Sequence, residues 1–318
     1  MSNWQTKIKE LIPSVKEYVS VRDFSSLGVG GTSDFFIEVK TIDELIETVA
    51  AARKIGAPYK VIGNTTNVIC SDKGFNGLLI RNRTSSFQID EKTGRVISDS
   101  GVALSRLILE SASKGLGGLE PLYGIPGTVG GAVVVNAGAH GISISRHLQS
   151  SSVMISSEKI LNAKGSWFNF QYRQSKLKYK KEDSPPVILS AIFQLQRRKK
   201  EDILSDIVRY KNIREEKQPI GEKTCGSIFK NPAGTDVATG DQIAKTAGYL
   251  LDQAGAKKFS QDGIHVFRNH ANWIINSGKA NATDVRKLIE KMRQAVEEKF
   301  QVTLIEEIEY LGDWDEIS

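Results

Sequence analysis

The sequence predicts an α+β fold with more than one domain, and three observations carry that reading. Residues 35–62 run strand, helix, strand. The middle of the chain holds short apolar runs bounded by turn residues, at 152–155, 167–170 and 187–195, which read as antiparallel strands. The last third alternates apolar helical stripes with short strands. A chain of 318 residues is long enough for two or three domains.

Composition removes several function classes. The 40% hydrophobic and 25% charged content is that of an ordinary globular protein. Lys and Arg number 43 against 37 Asp and Glu, a mild excess of +6 that is spread along the chain. The dense basic runs, KYKK near 178–181 and RRKK at 197–200, read as solvated loops; they also permit attraction of a polyanionic small molecule. Two cysteines, Cys70 and Cys225, give neither a disulfide framework nor a cysteine metal cluster. The four histidines, 140, 147, 265 and 270, lack metal-ligand spacing. No secretory pattern opens the chain, and no apolar run reaches membrane-spanning length, so a cytoplasmic protein is expected.

Each element has a local cause. Trp4, Ile8, Leu11 and Ile12 lie on one helical face before Pro13. Phe35 to Val39 alternates as a strand. Thr41 and Glu44 make a T-x-x-E capping box, which satisfies free N–H groups at a helix start. Leu45, Val49 and Ala52 form the buried stripe, and Gly56 and Pro58 end that helix. Tyr59 to Ile62 is the second strand. It stops at Gly63, and a polar loop, Asn64-Thr65-Thr66-Asn67, follows. Open α/β sheets bind ligands at the carboxyl ends of such strands. The loop's N–H groups and hydroxyls suit a phosphate without a cation, and equally a plain connection. No G-x-G-x-x-G follows the first strand and no P-loop lysine occurs, so neither a Rossmann nor a Walker site is indicated. Residues 86–98 read as two strands around a turn at Lys92–Gly94. A helix over 103–114 turns Leu104, Leu107 and Ile108 inward.

Residues 115–141, GLGGLEPLYGIPGTVGGAVVVNAGAHG, hold nine of the 28 glycines. Glycine permits positive φ and close backbone approach. Here small apolar residues interrupt the glycines and Lys and Arg are absent, unlike a flexible linker. The stretch reads as a buried loop–strand–loop, made either for tight turns in a core or for a large ligand.

Beyond it, Arg173 sits in Tyr172-Arg173-Gln174-Ser175-Lys176, between strands, either paired and buried or on a surface hairpin. Ile203, Ile207 and Tyr210 mark a helix ending before Gln218-Pro219. Cys225-Gly226-Ser227-Ile228-Phe229-Lys230-Asn231-Pro232 holds a hydroxyl on a tight backbone, with no nearby histidine to make it a hydrolase nucleophile. A helix is expected at Asp241–Ala254, strands at 264–267 and 273–275, and a helix capped by Asn281 with Val285, Leu288, Ile289, Met292 and Val296 inward. A final strand, Val302 to Leu311, puts Glu307 and Glu309 on one face and Glu306 on the other, as edge charges or as functional acids.

Together these segments resemble the UDP-N-acetylenolpyruvoylglucosamine reductase (MurB) family. The matches run in the family's order over nearly the whole chain: LGVGGTSDFF, SDKGFNGLLIR, GLEPLYGIPGTVGGAVVVNAGAHG, FQYRQSK, CGSIFKNP, NHANWIINSG and VTLIEEIEYLG. GIPGTVGGA followed by NAGA is highly specific, and GSIFKNP nearly so. The chain is similar to the family's shorter subclass, without an extra tyrosine-bearing loop.

The resemblance implies a two-lobed FAD-binding domain of the vanillyl-alcohol-oxidase type and a C-terminal α+β substrate-binding domain. It divides the chain at 1–82 (N-terminal segment and first lobe), 83–200 (second lobe) and 201–318. It implies FAD as cofactor and NADPH as hydride donor. The implied reaction reduces the enolpyruvyl ether of UDP-N-acetylglucosamine to UDP-N-acetylmuramate for peptidoglycan. It points to no nucleic acid, membrane or obligate protein partner. Backbone of Gly63, Asn64, Thr65, Thr66 and Asn67, and of Gly124, Ile125, Pro126, Gly127, Thr128, Gly130 and Gly131, would wrap the FAD pyrophosphate. Asn136, Ala137 and Gly138 would lie near the flavin. Ser227 would protonate C2 of the substrate, and Arg173 and Glu307 would hold its carboxylate and stabilise the enolate. Glu307 holds the motif position before Ile308, which Glu306 and Glu309 do not. Tyr172, Lys230 and Asn231 would contact substrate. The chain departs from the family in two places. Its loop Gly63–Asn67 replaces G-x-G-S-N, putting a β-carbon at Thr65 and leaving Thr66 to supply the hydroxyl. Asp262-Gly263-Ile264-His265 stands where a Gly-Gly-Ala-Gln run is common.

Overall fold

The apolar stripes and strand runs fold, in a computed structural model that describes residues 3–178, 184–232 and 246–315, into two units. The first comprises residues 1–18, 34–63 and 76–212; the second comprises 19–33, 64–75 and 213–318.

In the first unit, helix α1 (Asn3–Leu11) buries Ile8 and sets Trp4 edge-on to Phe35. Leu11, expected on the inner face, is 43% exposed; it ends the helix, and Ile12 just beyond takes the inward position. Strands β1 (Lys16–Ser20) and β2 (Thr32–Val39) lead to α2 (Ile42–Lys54) and β3 (Tyr59–Ile62). The Thr41–Glu44 capping box forms as the sequence predicts, and Leu45, Val49 and Ala52 are fully buried. After β4 (Val68–Cys70), which belongs to the second unit, β5 (Phe75–Asn82) completes a four-stranded sheet of order β1-β2-β5-β3. β3 and β5 are parallel, with Tyr59 opposite Leu78. Parallel neighbours need a crossover.

A five-stranded antiparallel sheet follows. Strands β6 (Phe87–Asp90) and β7 (Arg95–Asp99) are joined by the expected turn, where Asp90 accepts the Lys92 and Thr93 N–H groups. Helix α3 (Leu104–Ser113) buries Leu104, Leu107 and Ile108. Short β8 (Leu116–Gly117) opens the glycine-rich stretch, whose centre is not a strand but helix α4 (Val129–Val134). Thr128 caps it, its hydroxyl accepting the Gly131 N–H, and this local cap outweighs the β preference of the valines. β9 (Gly138–Ala139) and β10 (Ile142–Ser143) form a hairpin across His140 and Gly141, both left-handed, the geometry of a two-residue I′ turn. β11 (Leu148–Met154), β12 (Ile160–Lys164) and β13 (Val187–Gln194) complete the sheet order β12-β11-β13-β7-β6. Residues 167–170, expected as a strand, instead lie in and just beyond a 3₁₀ turn over Gly165–Phe168, ended by left-handed Asn169. β14 (Gln196–Arg197) pairs with β8.

The basic runs are not merely solvated. Lys178 is buried, and 179–181 lie outside the described residues. Arg198 pairs with the buried carboxylate of Glu120 and with Asp206, each at 2.8 Å. Glu120 also accepts the Gly118 N–H. Helix α5 (Lys200–Lys217) buries Ile203 and Ile207 and ends before Pro219 as predicted.

The second unit is built on α6 (Ala247–Gln253) and α7 (Ala282–Phe300), with a three-stranded antiparallel sheet of β15 (Ser260–Gln261), β16 (Ile264–Val266) and β17 (Ile274–Asn276). The predicted helix from 241 has its first residues, 241–245, outside the described ones. Asn281 caps α7 through a box with Asp284, and the predicted inner face is buried throughout. Asp72 adds a second cap, accepting the Ala282 and Thr283 N–H groups at 2.8 Å. Of the predicted final strand only β18 (Glu309–Leu311) forms a ladder, parallel to β4 with Glu309 opposite Val68. Upstream, Phe229 and Glu306 form an isolated antiparallel bridge. Close backbone explains two motif glycines. A Cβ on Gly74 would lie 1.8 Å from the Thr32 carbonyl oxygen, and one on Gly312 would lie 1.9 Å from that of Gly74.

Candidate active site

In the first unit the end of β3 meets the glycine turn. A Cβ on Gly63 would lie 2.6 Å from Thr128 Oγ1. The turn itself is fixed by backbone: Leu104 N–H donates to Gly127 O and Val129 N–H to Val102 O. Its glycines do different jobs. Gly124 has φ +82 and donates to Ser105 Oγ. Gly130 lies against Ser100, where a Cβ would come within 2.8 Å of the serine Cβ. Gly131 is exposed, and a Cβ there would meet only Thr128 Oγ1, at 3.5 Å. The N–H groups of Gly127 and Thr128 make no backbone hydrogen bond among the described residues. A turn with open space over glycine and unclaimed amides fits an extended anion, so these residues are compatible with an FAD pyrophosphate.

The same unit brings Asn136–Gly138 to the segment that carries Arg173. Gln171 and Gln174 exchange backbone hydrogen bonds at 2.9 and 3.2 Å, leaving Tyr172 and Arg173 at the tip. Arg173 is partly buried, in the left-handed region at φ 54, with its guanidinium over the Tyr172 ring. A Cβ on Gly138 would lie 2.7 Å from Arg173 Nη1, so glycine makes room for this side chain. Asn136 donates to the Gln171 carbonyl at 2.8 Å, and buried Ser175 donates to the Val134 carbonyl at 2.7 Å.

The second unit holds the loop Asn64–Asn67. Thr65 is buried and left-handed at φ 56, a rare state for a β-branched residue. Its side chain turns to the 24–26 segment: Oγ1 accepts the Ser26 N–H at 3.1 Å, and the Thr65 carbonyl accepts the Ser26 hydroxyl at 3.0 Å. The extra β-carbon therefore packs inward and anchors the loop. Thr66 O lies 3.3 Å from where a Cβ on Gly226, at φ +83, would stand. Asn67 Nδ2 donates to Glu307 O at 3.1 Å, and the Glu309 N–H donates to Asn67 O at 2.9 Å.

Ser227 is partly buried beside that loop, on a segment paired with the terminal one. The Glu307 N–H donates to Ile228 O at 2.7 Å, and the Lys230 N–H to Ile305 O at 2.8 Å. Burial pushes the Lys230 ammonium down from its ordinary value, and the nearby Glu307 carboxylate pulls it back. Asn231 Oδ1 accepts the Ala247 N–H at the start of α6. Glu306 pairs with Arg293, which also holds Glu290 at 2.8 Å, while Glu309 enters the ladder with Val68. Cys225 is fully buried, and burial pushes its thiol up to about 12, so it stays a neutral core group. The structure thus gathers the loop 64–67, Ser227, Lys230 and Glu307 in one unit. It gathers Gly63, the glycine turn, Asn136–Gly138, Tyr172 and Arg173 in the other.

One side chain beyond the sequence-predicted set shapes the second group. Asn272 accepts the Phe229 N–H at 2.9 Å and donates to Phe229 O at 2.8 Å, with both residues buried. Asn67 and Thr65 act through their side chains, not only through backbone. The signal for Asn272 was its place in the motif segment NHANW, between Ala271 and Trp273. No metal-holding cluster of His, Cys, Asp or Glu occurs among the described residues, and no described helix is long and apolar enough to cross a membrane.

Residues 33–169 match the FAD binding domain family, and residues 218–311 match the family described as UDP-N-acetylenolpyruvoylglucosamine reductase, C-terminal domain. Among curated proteins, UDP-N-acetylenolpyruvoylglucosamine reductase of Caldicellulosiruptor saccharolyticus is 36% identical over 93% of this chain and 91% of its own length. That of Acaryochloris marina is 35% identical over 96% and 95%. Among solved structures, UDP-N-acetylenolpyruvylglucosamine reductase from Thermus caldophilus is similar with a TM-score of 0.75, at 32% identity over 93% of this chain and 98% of that one.

Proposed function

We infer the activity from the family: the chain belongs to the UDP-N-acetylenolpyruvoylglucosamine reductases. It is an FAD-dependent oxidoreductase of peptidoglycan precursor synthesis, reducing the enolpyruvyl ether of UDP-N-acetylglucosamine to UDP-N-acetylmuramate with NADPH as hydride donor. We assign it to the cytoplasm; two buried free cysteines suit a reducing compartment.

Backbone of Gly63, Gly124–Gly131 and the loop 64–67 would hold FAD, with Asn136–Gly138 beside it. Bound FAD supplies a carrier that accepts hydride from NADPH and delivers it to C3 of the enolpyruvyl group. The chain's own residues manage the charge and the proton. Hydride arrival at C3 pushes electrons toward the substrate carboxylate. Arg173 offers a fixed cation to that carboxylate, and Glu307 completes the electrostatic frame around the enolate. C2 becomes strongly basic, and Ser227 donates its hydroxyl proton there; a weak acid suffices when the acceptor carbon is this basic. Lys230 sits within the field of Glu307 and contacts substrate, as do Tyr172 and Asn231.

The observation that best supports this reading is the bond from the Glu307 N–H to Ile228 O, which sets the proposed acid and the proposed carboxylate on two adjoining, backbone-paired segments. Steady-state NADPH oxidation tests it. FAD-loaded protein is expected to consume NADPH rapidly only when the enolpyruvyl sugar nucleotide is present. Equal rates with and without that substrate contradict the assignment.

A further inference from the structure

Asn136 ends the helical turn of α4 in the left-handed region at φ 47, only 6% exposed. Asparagine tolerates this conformation better than most residues. Its side chain is held at both ends. Nδ2 donates to Gln171 O at 2.8 Å, and Oδ1 accepts the Ser145 N–H at 3.3 Å. A flipped amide would set oxygen against the Gln171 carbonyl and NH₂ against an N–H, so the hydrogen-bond pattern fixes its orientation. Gln171 O also accepts the Gln174 N–H across the hairpin tip. That tip carries Arg173, itself left-handed, a state that persists only where neighbours hold it. Val134, two residues before Asn136, takes the Ser175 hydroxyl on the hairpin's far side.

We propose that Asn136 is a positioning residue for Arg173, cross-linking the end of α4 to the base of the Gln171–Gln174 hairpin, and that its amide acts on the substrate step through Arg173. This rests on the reading that Arg173 anchors the substrate carboxylate. Without the amide, the left-handed tip loses one of its two side-chain ties to α4 and the turn after it, and the guanidinium is less firmly seated against Gly138.

The test uses FAD-loaded Asn136→Asp, alone and with Arg173→Ala. Aspartate keeps an acceptor for the Ser145 N–H and tolerates the backbone, but sets a carboxylate oxygen against Gln171 O. Flavin reduction by NADPH, in which Arg173 takes no part, should slow less than the substrate step does. Reoxidation of the reduced flavin by the enolpyruvyl substrate should slow about tenfold, the scale of one lost buried hydrogen bond. In the Arg173→Ala background the same substitution should change nothing further, because an effect exerted through Arg173 has nothing left to act on. Ser175→Ala, removing the other tie, should repeat the pattern at smaller size and serves if Asn136→Asp does not fold. A tenfold loss that persists without Arg173 overturns the proposal, and so does loss of FAD with a normal substrate step. If Arg173→Ala alone leaves reoxidation unchanged, the Arg173 reading itself fails, and that single variant shows it separately.

Discussion

The Arg173 hairpin and the Glu307 segment carry the two charged groups of the proposed reaction, and they are built in opposite ways. Arg173 stands on a tight, left-handed tip whose ties to α4 and the turn after it are side chains, Asn136 and Ser175. Glu307 stands in extended chain, held by main-chain bonds on both sides, to Ile228 and, through Glu309, to Asn67. Backbone ladders resist single substitutions, while side-chain ties are lost one residue at a time. Position is therefore fragile in the first unit and robust in the second, except where Asn272 grips Phe229 by its side chain.

Substitutions can break this contrast. The largest expected effect comes from chemistry itself. Ser227→Ala should slow product formation on the order of a thousandfold while flavin reduction by NADPH proceeds normally, because general acid catalysis contributes about 10²–10⁴. Glu307→Gln should cost about 3 kcal/mol in the barrier, roughly a hundredfold in kcat/KM. Its thermal midpoint should fall by only a few degrees, since the backbone bonds at 307 do not involve the carboxylate; a large fall would show that Glu307 is structural.

Asn272→Ala should do the reverse, lowering stability by about 3 kcal/mol in denaturant titration because it strands the buried Phe229 N–H and carbonyl. Unchanged stability would mean that the Ser227 turn does not depend on that clamp. His270 gives a pH signature. Its ring is held below the ordinary histidine value, first by burial and then by Lys217 and Lys257. The folded protein thus binds fewer protons there than the unfolded chain as pH falls. Stability should decline below about pH 6.5, and His270→Gln should flatten that decline. The smallest effect belongs to Thr65→Gly. Losing the Ser26 hydrogen bond and relieving a left-handed β-branched residue nearly cancel, so the midpoint should move by less than about 3 °C.

Much of this was legible before any coordinates. The capping box at Thr41, the Asn281 cap, the turn at Lys92–Gly94 and the stripes of α3 and α7 rest on rules within one or two helical turns, and each formed as expected. The motif segments pointed to the family, which the similarity to known reductases bears out. What escaped was nonlocal or decided by a single cap. The valines at 133–135 suggest a strand, and the Thr128 hydroxyl makes 129–134 a helix. Residues 167–170 look alternating, but Asn169 goes left-handed and stops them. Thr65 in place of glycine suggested a crowded phosphate loop; its hydroxyl instead reaches residues 39 positions earlier. Asn67, Asp72 and Asn272 bond partners 240, 210 and 43 positions away, beyond any periodicity.

The most direct measurement of the central claim is a turnover in deuterated water, with protiated NADPH and the enolpyruvyl sugar nucleotide. If the proton at C2 comes from an exchangeable hydroxyl, the UDP-N-acetylmuramate formed carries deuterium at C2, whatever isotope the reduced flavin, whose own N–H exchanges with solvent, delivers to C3. Protium at C2, or no product from FAD-loaded protein, contradicts the account.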